Sequence, residues 1–149
     1  MKRKLNINLI PETSFYNNLR SLFPKEEWDL IRRECYKKAN YVCEICGENG
    51  LEQGYNWPVE CHELWDFSKR GIQKLIRLIA LCPLCHKCQH LGFAQIEGTY
   101  DIAKAHYILV NKITKKEADH DIYLAFEKWT EDSQITWDLD LTLLDKSHV

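Results

Sequence analysis

The sequence has 149 residues, of which 45% are hydrophobic and 28% charged, a balance typical of one globular domain. Its net charge of −2 argues against indiscriminate nucleic-acid binding, which depends on neutralising many phosphates. The charge is uneven, because residues 1–40 carry nine Lys and Arg against five Asp and Glu, whereas residues 91–149 carry six against eleven. The sequence shows neither a signal-peptide pattern nor an apolar stretch of about 20 residues, which predicts a cytoplasmic protein without a membrane partner.

The first regular element predicted along the chain is a helix. Residues 1–20 show no helical pattern and are predicted to be irregular or strand-like. A proline followed by acidic residues is typical of a helix start, so we predict a helix from Ser21 to about Asn40, with Cys35 facing the core. The N-terminal segment, residues 1–42, therefore leads from a helix directly into the first cysteine pair.

The middle of the chain, residues 43–96, combines cysteine pairs with a predicted hairpin and helix. Two strands are predicted at Val59–Phe67 and Ile72–Leu81, and the Ser-Lys-Arg-Gly sequence between them predicts the turn of a hairpin. A short helix is predicted from Pro83 to about Ile96. The order is therefore cysteine pair, hairpin, cysteine pair, helix.

The C-terminal extension, residues 97–149, is predicted to be scaffold. Helices are predicted at Tyr100–Ile113 and Lys115–Asp132, and strict alternation over Ile135–Leu141 predicts a terminal strand. With the hairpin and helices upstream, this pattern predicts a single α+β domain over residues 1–149.

Four of the seven cysteines form two CxxC pairs separated by 35 residues. A two-residue spacer lets both sulfurs of a pair reach one tetrahedral ion, so these four predict a structural zinc site. The pairs are Cys43 with Cys46, and Cys82 with Cys85. A disulfide framework and a chance pairing of buried thiols are the alternatives, and either Cys35 or Cys88 could replace one of the four ligands.

Three histidines lie close to these pairs in the predicted topology. His86 and His90 are four residues apart on one helix face, a spacing suited to chelating a divalent metal ion. His62 lies on the first strand of the hairpin, which must pack near that helix if both cysteine pairs share a zinc. The alternatives are a half-buried strand histidine at His62, and knuckle or helix-capping roles for the other two.

Residues 43–90 resemble the motif of the HNH (ββα-metal, treble-clef) endonuclease family: CxxC, a hairpin whose first strand ends in an acid-histidine pair, and CxxCH opening a helix. The resemblance implies a zinc-stapled β-hairpin plus helix core with flanking helices. It also implies that His62 is the general base that activates water and that His86 helps to hold a catalytic metal. His90 matches an extra helical histidine of colicin-type nucleases, which also binds metal.

Two residues depart from the family pattern. Arg77 stands where the family has an asparagine that braces the base histidine, and its guanidinium would more naturally contact phosphate or face solvent. Cys61 stands where many members have an aspartate or histidine ligand of the catalytic metal. A thiolate there would favour zinc over magnesium, although Glu60 or Glu63 could supply an oxygen instead.

The resemblance implies a metal-dependent endonuclease that hydrolyses DNA phosphodiester bonds. Its cofactors would be a structural zinc and a second divalent ion, namely magnesium, manganese, nickel or zinc. The alternative is a catalytically inactive HNH-like zinc module that binds protein or nucleic acid, which Arg77 and the acidic C-terminal part favour. A third hypothesis is a redox switch that uses Cys61 and Cys88. The sequence does not indicate the oligomeric state.

Overall fold

A computed structural model describes residues 2–147, with side chains as far as Leu144, and shows an α+β fold. Met1 and the last two residues of the predicted C-terminal extension lie outside the described residues. Within them, none of the helices is long and apolar enough to span a membrane. The helices and strands are α1 (Leu19–Leu22), α2 (Lys25–Lys38), β1 (Glu60–Asp66), β2 (Ile72–Leu81), α3 (Pro83–Gln89), α4 (Leu91–Glu97), α5 (Tyr100–Asn111), α6 (Lys115–Asp132), β3 (Asp138–Asp140) and α7 (Thr142–Ser147).

The predicted hairpin supplies two strands of a three-stranded sheet of order β1-β2-β3, with β2 in the middle. Strand β1 pairs antiparallel with β2, and His62 lies opposite Ile79. The register shifts once, because Leu64 pairs with Arg77 while the next residue, Trp65, pairs with Leu75. This bulge increases the local twist of the hairpin. Strand β1 remains at the sheet edge, where its outer side is available to other parts of the chain.

The helix predicted from Ser21 to Asn40 begins later than expected, at Lys25, and is preceded by the short helix α1. The residue before a proline is driven toward extended backbone, and Phe23, which precedes Pro24, has φ −98° and ψ 150°. The chain therefore bends between the two helices. Helix α2 then packs on the hairpin, with Trp28 and Cys35 buried, as predicted for Cys35.

The single helix predicted from Pro83 to Ile96 is two helices, α3 and α4, that meet at His90. His90 has φ −124° and ψ 52°, which is not helical, and it ends one helix while starting the next. The break places the His90 side chain at a corner of the chain. The predicted bounds of α6 are confirmed, and Thr114 and Glu117 form a capping box at its start.

The terminal strand is shorter than predicted, because β3 covers three residues that pair in parallel with Ile72–Lys74 of β2. Helix α7 follows it directly and was not predicted. Trp137, just before β3, is buried and meets the Phe67 ring edge-on at a centroid distance of 5.1 Å. Burial of this ring holds the segment around β3 against the turn end of the hairpin.

The N-terminal segment crosses from the helices to the hairpin. The side-chain amide of Asn111 binds both the backbone N–H and the carbonyl of Leu5, each at 2.9 Å. The Asn8 side chain donates to the Trp65 carbonyl at 2.8 Å. Residues 2–18, predicted to be irregular or strand-like, form no strand in the described structure and are held by these hydrogen bonds to α5 and β1 instead.

Candidate metal centres and the adjoining cavity

The structure brings the four CxxC cysteines together into one cluster, with their sulfur atoms within 4.8 Å of one another. Cys46 Sγ lies 3.6 Å from Cys82 Sγ, which is close to the separation of two sulfurs on one tetrahedral zinc. Three of the four are buried, and Cys46 is half-buried. The cluster, which we call the cysteine site, can therefore hold a metal ion such as zinc.

Backbone groups in the two cysteine pairs support the metal-binding form of the thiols. The amide of Cys46 donates to Cys43 Sγ at 3.5 Å, and the amide of Cys85 donates to Cys82 Sγ at 3.3 Å. Hydrogen bonding with Cys46 lowers the pKa of Cys43 to about 6, and hydrogen bonds from the neighbouring thiols lower the pKa of Cys82. Thiolate, the species that binds zinc, is thus favoured at Cys43 and Cys82, whereas hydrogen bonding with the neighbouring thiols raises the pKa of Cys46 and Cys85.

Sequence reasoning missed one member of the cysteine site. His106, buried on α5, places Nε2 at 3.2 Å from Cys85 Sγ. When that nitrogen carries the proton, it donates to the thiolate and offsets part of the charge of a four-thiolate site. His106 belongs to no metal-ligand spacing pattern in the sequence, and its helix was predicted to be scaffold. Only the folded structure could therefore identify its contact with Cys85.

A second cluster joins the three histidines singled out in the sequence, and we call it the histidine site. The ligand nitrogens of His62, His86 and His90 lie within 4.8 Å of one another. The Nε2 atoms of His86 and His90 are 3.1 Å apart. The predicted convergence of strand β1 and helix α3 thus occurs, and the non-helical corner at His90 contributes the third imidazole.

His62 is the clearest sign that the histidine site fits an ion. Its side chain is 4% exposed, and Nε2 has no hydrogen-bond partner among the described residues. Such a buried polar atom requires an explanation, and a cation held jointly with His86 and His90 supplies one. Burial, with the two neighbouring imidazoles, lowers the pKa of His62 well below its usual value, and burial lowers that of His90 to about 3. Both side chains are therefore neutral, as metal ligation requires.

Glu60 lies behind the histidine site, where sequence reasoning had considered it as an oxygen ligand. Its Oε1 is 3.3 Å from Nδ1 of His86. A carboxylate in that position holds the Nδ1 proton and leaves Nε2 free to bind a metal. Glu60 thus orients a histidine in the same way as carboxylates behind known metal-bound imidazoles.

Cys61 and Arg77 are not brought into the histidine site. The Cys61 thiol is hydrogen-bonded with Cys35 of α2, and this bond, with burial as the next cause, raises the pKa of Cys61 and keeps the thiol protonated. The Arg77 guanidinium binds Glu44, with Nη2 at 2.7 Å from Oε1, and the side chain is half exposed. The other oxygen of Glu44 accepts the Ala80 amide at 2.7 Å. The metal-ligand role of Cys61 and the catalytic role of Arg77 stay predictions.

A cavity of about 740 Å³ adjoins the histidine site. All three histidines line it, together with residues from the N-terminal segment, the β1 edge, α2, α4 and α6. Glu63 is in its wall, where Oε1 accepts the Leu19 amide at 2.7 Å and burial raises its pKa to about 7. Trp65 also lines the cavity, whereas Tyr55 and Trp57 pack on each other elsewhere.

Comparison with known proteins finds similarity to a bacterial protein. The Zorya protein ZorE of the Crooks strain of Escherichia coli is 31% identical over 114 residues. The match covers 74% of this chain and 27% of ZorE, so the chain spans about a quarter of that protein's length. No family model matches the chain, and no solved structure matches it.

Proposed function

We propose that the chain is a metal-dependent endonuclease that hydrolyses DNA phosphodiester bonds through an HNH-like site. The site would consist of the hairpin β1–β2 and helix α3, which together would correspond to a ββα-metal core. The observation that carries the proposal is the buried, unpartnered Nε2 of His62, held against two further imidazoles in the wall of a cavity.

The two clusters would hold two ions with different tasks. The cysteine site would hold a structural zinc, because thiolates prefer soft ions and the sulfurs are enclosed by the core. The histidine site would hold a divalent ion with positions left open toward the cavity. When bound there, such an ion supplies Lewis-acid stabilisation of the phosphate and of the departing oxygen.

The role of His62 within this proposal has two forms that exclude each other. The HNH resemblance assigns it to accept the proton of the attacking water, which requires a free Nε2 lone pair. The same lone pair, pointing toward His86 and His90, also suits ligation. We propose ligation, because an unpartnered buried nitrogen surrounded by two other ligand atoms has its best partner in the shared ion.

The inactive zinc module remains the second candidate, and one observation favours it. Arg77, which stands in place of the family's asparagine, is bound to Glu44 and does not line the cavity. The base-bracing contact expected of the asparagine is therefore not replaced by this arginine. A module of this type would bind protein or nucleic acid and would cut no DNA with any metal.

Nicking of supercoiled plasmid tests the proposal directly. We would compare the wild type with His62→Ala and with His120→Ala, an exposed histidine on α6 that serves as the matched control. The expected result is nicking by the wild type and His120→Ala with at least one of magnesium, manganese, nickel and zinc, and none by His62→Ala. Absence of nicking by every protein would favour the inactive module.

Counting the bound metal in the same proteins separates the two roles of His62. If His62 is a ligand, the alanine variant binds one ion fewer than the wild type. If His62 is only the base, the variant binds the same number and is inactive nevertheless.

A further inference from the structure

The cavity beside the histidine site has walls that a metal site alone does not require. Six aromatic side chains line it, and its volume of about 740 Å³ is in the range of pockets that enclose small organic ligands. The aromatic residues are Phe15, Trp28, Trp65, Phe93, Phe126 and Trp129. Aromatic walls favour a flat ring that can stack on them.

The polar groups of the cavity are few and specifically placed. Among the described residues that line it, Arg20 supplies the only lysine or arginine side chain. Ser14 is also in the wall, and its buried hydroxyl has no hydrogen-bond partner among the described residues. With the histidine site, the cavity thus offers an aromatic region, a cation for an anionic group and an unused hydrogen-bonding group.

We propose that the cavity receives one unpaired nucleotide of a nucleic-acid strand, with its base against the aromatic walls and its phosphate toward Arg20 and the histidine site. This inference rests on the proposed function and defines its substrate as a strand with an unpaired or extruded nucleotide. A paired base is enclosed in its stack and presents no face to a side chain, whereas an unpaired base exposes both faces.

The charge of the chain supports an unpaired nucleotide over intact duplex. Binding to duplex through the backbone alone needs several Lys or Arg contacts to phosphate, but the net charge is −2 and Arg20 stands alone in this cavity. Contact with the base must therefore contribute much of the affinity. Phe93 is suited to that contact because it is 63% exposed although it lines the cavity, so a ligand can reach it from solvent.

The test measures binding of three labelled oligonucleotides by fluorescence anisotropy. They are a fully paired duplex, the same duplex with one unpaired nucleotide at its centre, and the corresponding single strand. Phosphorothioate linkages around the unpaired nucleotide prevent cleavage during the measurement. We expect the wild type to bind the duplex with the unpaired nucleotide about tenfold more tightly than the paired duplex, which is a typical effect for one stacked base.

Two aromatic substitutions separate a cavity effect from a surface effect. Phe93→Ala should remove most of the preference for the unpaired nucleotide while leaving the affinity for the paired duplex unchanged. Tyr123→Ala is the matched control, because Tyr123 is equally exposed, at 62%, but does not line the cavity. Phe15→Ala and its neighbour Tyr16→Ala form a second pair of the same kind, since Phe15 lines the cavity and Tyr16 does not.

Equal binding of all the probes, failure to bind any of them, or equal effects of Phe93→Ala and Tyr123→Ala would overturn the inference. Free thymidine monophosphate that binds more tightly than the duplex with the unpaired nucleotide would also overturn it, in favour of a free nucleotide. The plasmid assay reports on the proposed function separately. If the protein nicks plasmid but does not prefer unpaired nucleotides, only the proposed role of the cavity is refuted. If it prefers unpaired nucleotides but does not nick plasmid, only the proposed hydrolysis of DNA is refuted.

Discussion

The cysteine site and the histidine site are built from the same stretch of chain, yet they differ in what surrounds them. In the cysteine site, backbone amides and His106 already bond to the sulfurs, and three of the four cysteines are buried in the core. In the histidine site, His62 Nε2 has no hydrogen-bond partner among the described residues, and a cavity lies beside all three histidines.

This difference supports the proposed assignment of one structural and one catalytic metal site. A structural zinc has four protein ligands and no open position, whereas a catalytic ion keeps at least one position for water or substrate. Four sulfurs complete a tetrahedron, but three imidazoles do not. Adjacent sites of similar size can therefore be separated by ligand count and by access to a cavity.

The strongest expected effect comes from removing a ligand of the cysteine site. Cys43→Ser should leave the chain largely unfolded, because binding of a structural zinc contributes about 10–16 kcal/mol, comparable to the whole stability of a domain. Circular dichroism and zinc content measure the outcome. Cys88→Ser is the control, since Cys88 is equally buried but lies outside the cluster. A folded, zinc-free Cys43→Ser variant would refute the ligand assignment.

Substitutions in the histidine site should lower nicking activity strongly while changing the stability of the fold little. His90→Ala should lower the nicking rate by a factor of about 100 or more, because two imidazoles hold an ion poorly, while the variant remains folded. Glu60→Gln should weaken metal affinity by about 10–100-fold and recover activity at high metal concentration. Full activity of Glu60→Gln at limiting metal would show that Glu60 does not orient His86.

Acid should destabilise the chain through the histidine site. The pKa of His90 is about 3 when folded and near 6.5 when unfolded, so the folded state binds fewer protons between these values. Its contribution to the free energy of unfolding therefore decreases as pH falls below about 7. The measurement is urea denaturation with one zinc equivalent, which would fill the cysteine site and leave the histidine site empty. From pH 7 to pH 5, the free energy of unfolding should decrease more steeply for the wild type than for His90→Gln.

The pKa of Glu63, about 7 when folded, acts in the opposite direction in the same range. Its protonated form is favoured by folding, so its contribution to stability increases as pH falls from about 7 toward 4.5. Glu63 is present in both proteins, so its contribution cancels in the comparison with His90→Gln. Parallel pH profiles for the two proteins would contradict the assignment of a neutral, buried His90.

Arg77→Ala should have the smallest effect. Its half-exposed pair with Glu44 is expected to contribute less than about 1 kcal/mol to stability. Since the guanidinium does not line the cavity, nicking should change by less than about twofold. A hundredfold loss of nicking with unchanged stability would restore the catalytic role that the sequence suggested for Arg77.

Local patterns in the sequence were sufficient to predict most of the helices and strands. The hairpin turn, the bounds of β2 and α6, and the two CxxC pairs depend on neighbouring residues, and the structure has them as predicted. The split of the helix at His90 could not be predicted in this way, because no proline or glycine occupies that position. Both halves, α3 and α4, pack against α5 in the folded chain.

The residues of the candidate site could be predicted where their spacing in the sequence indicates a shared role. They could not be predicted where tertiary packing determines which side chains meet. His86 and His90 follow from their four-residue spacing, and His62 follows from the hairpin. The Arg77 side chain is bonded to Glu44 and the Cys61 side chain to Cys35, and both partners are distant in sequence. His106 and the aromatic cavity likewise depend on elements that meet only in the folded chain.

Cobalt titration of the metal-free wild type and His62→Ala, followed by optical absorption and plasmid nicking, tests the central claim most directly. We expect the wild type to bind two equivalents, the first giving thiolate-to-cobalt charge-transfer absorption and the second adding none. His62→Ala should keep the first equivalent, lose the second and fail to nick DNA. A single equivalent bound by the wild type, or nicking retained by His62→Ala, would contradict the division of the chain into a structural and a catalytic metal site.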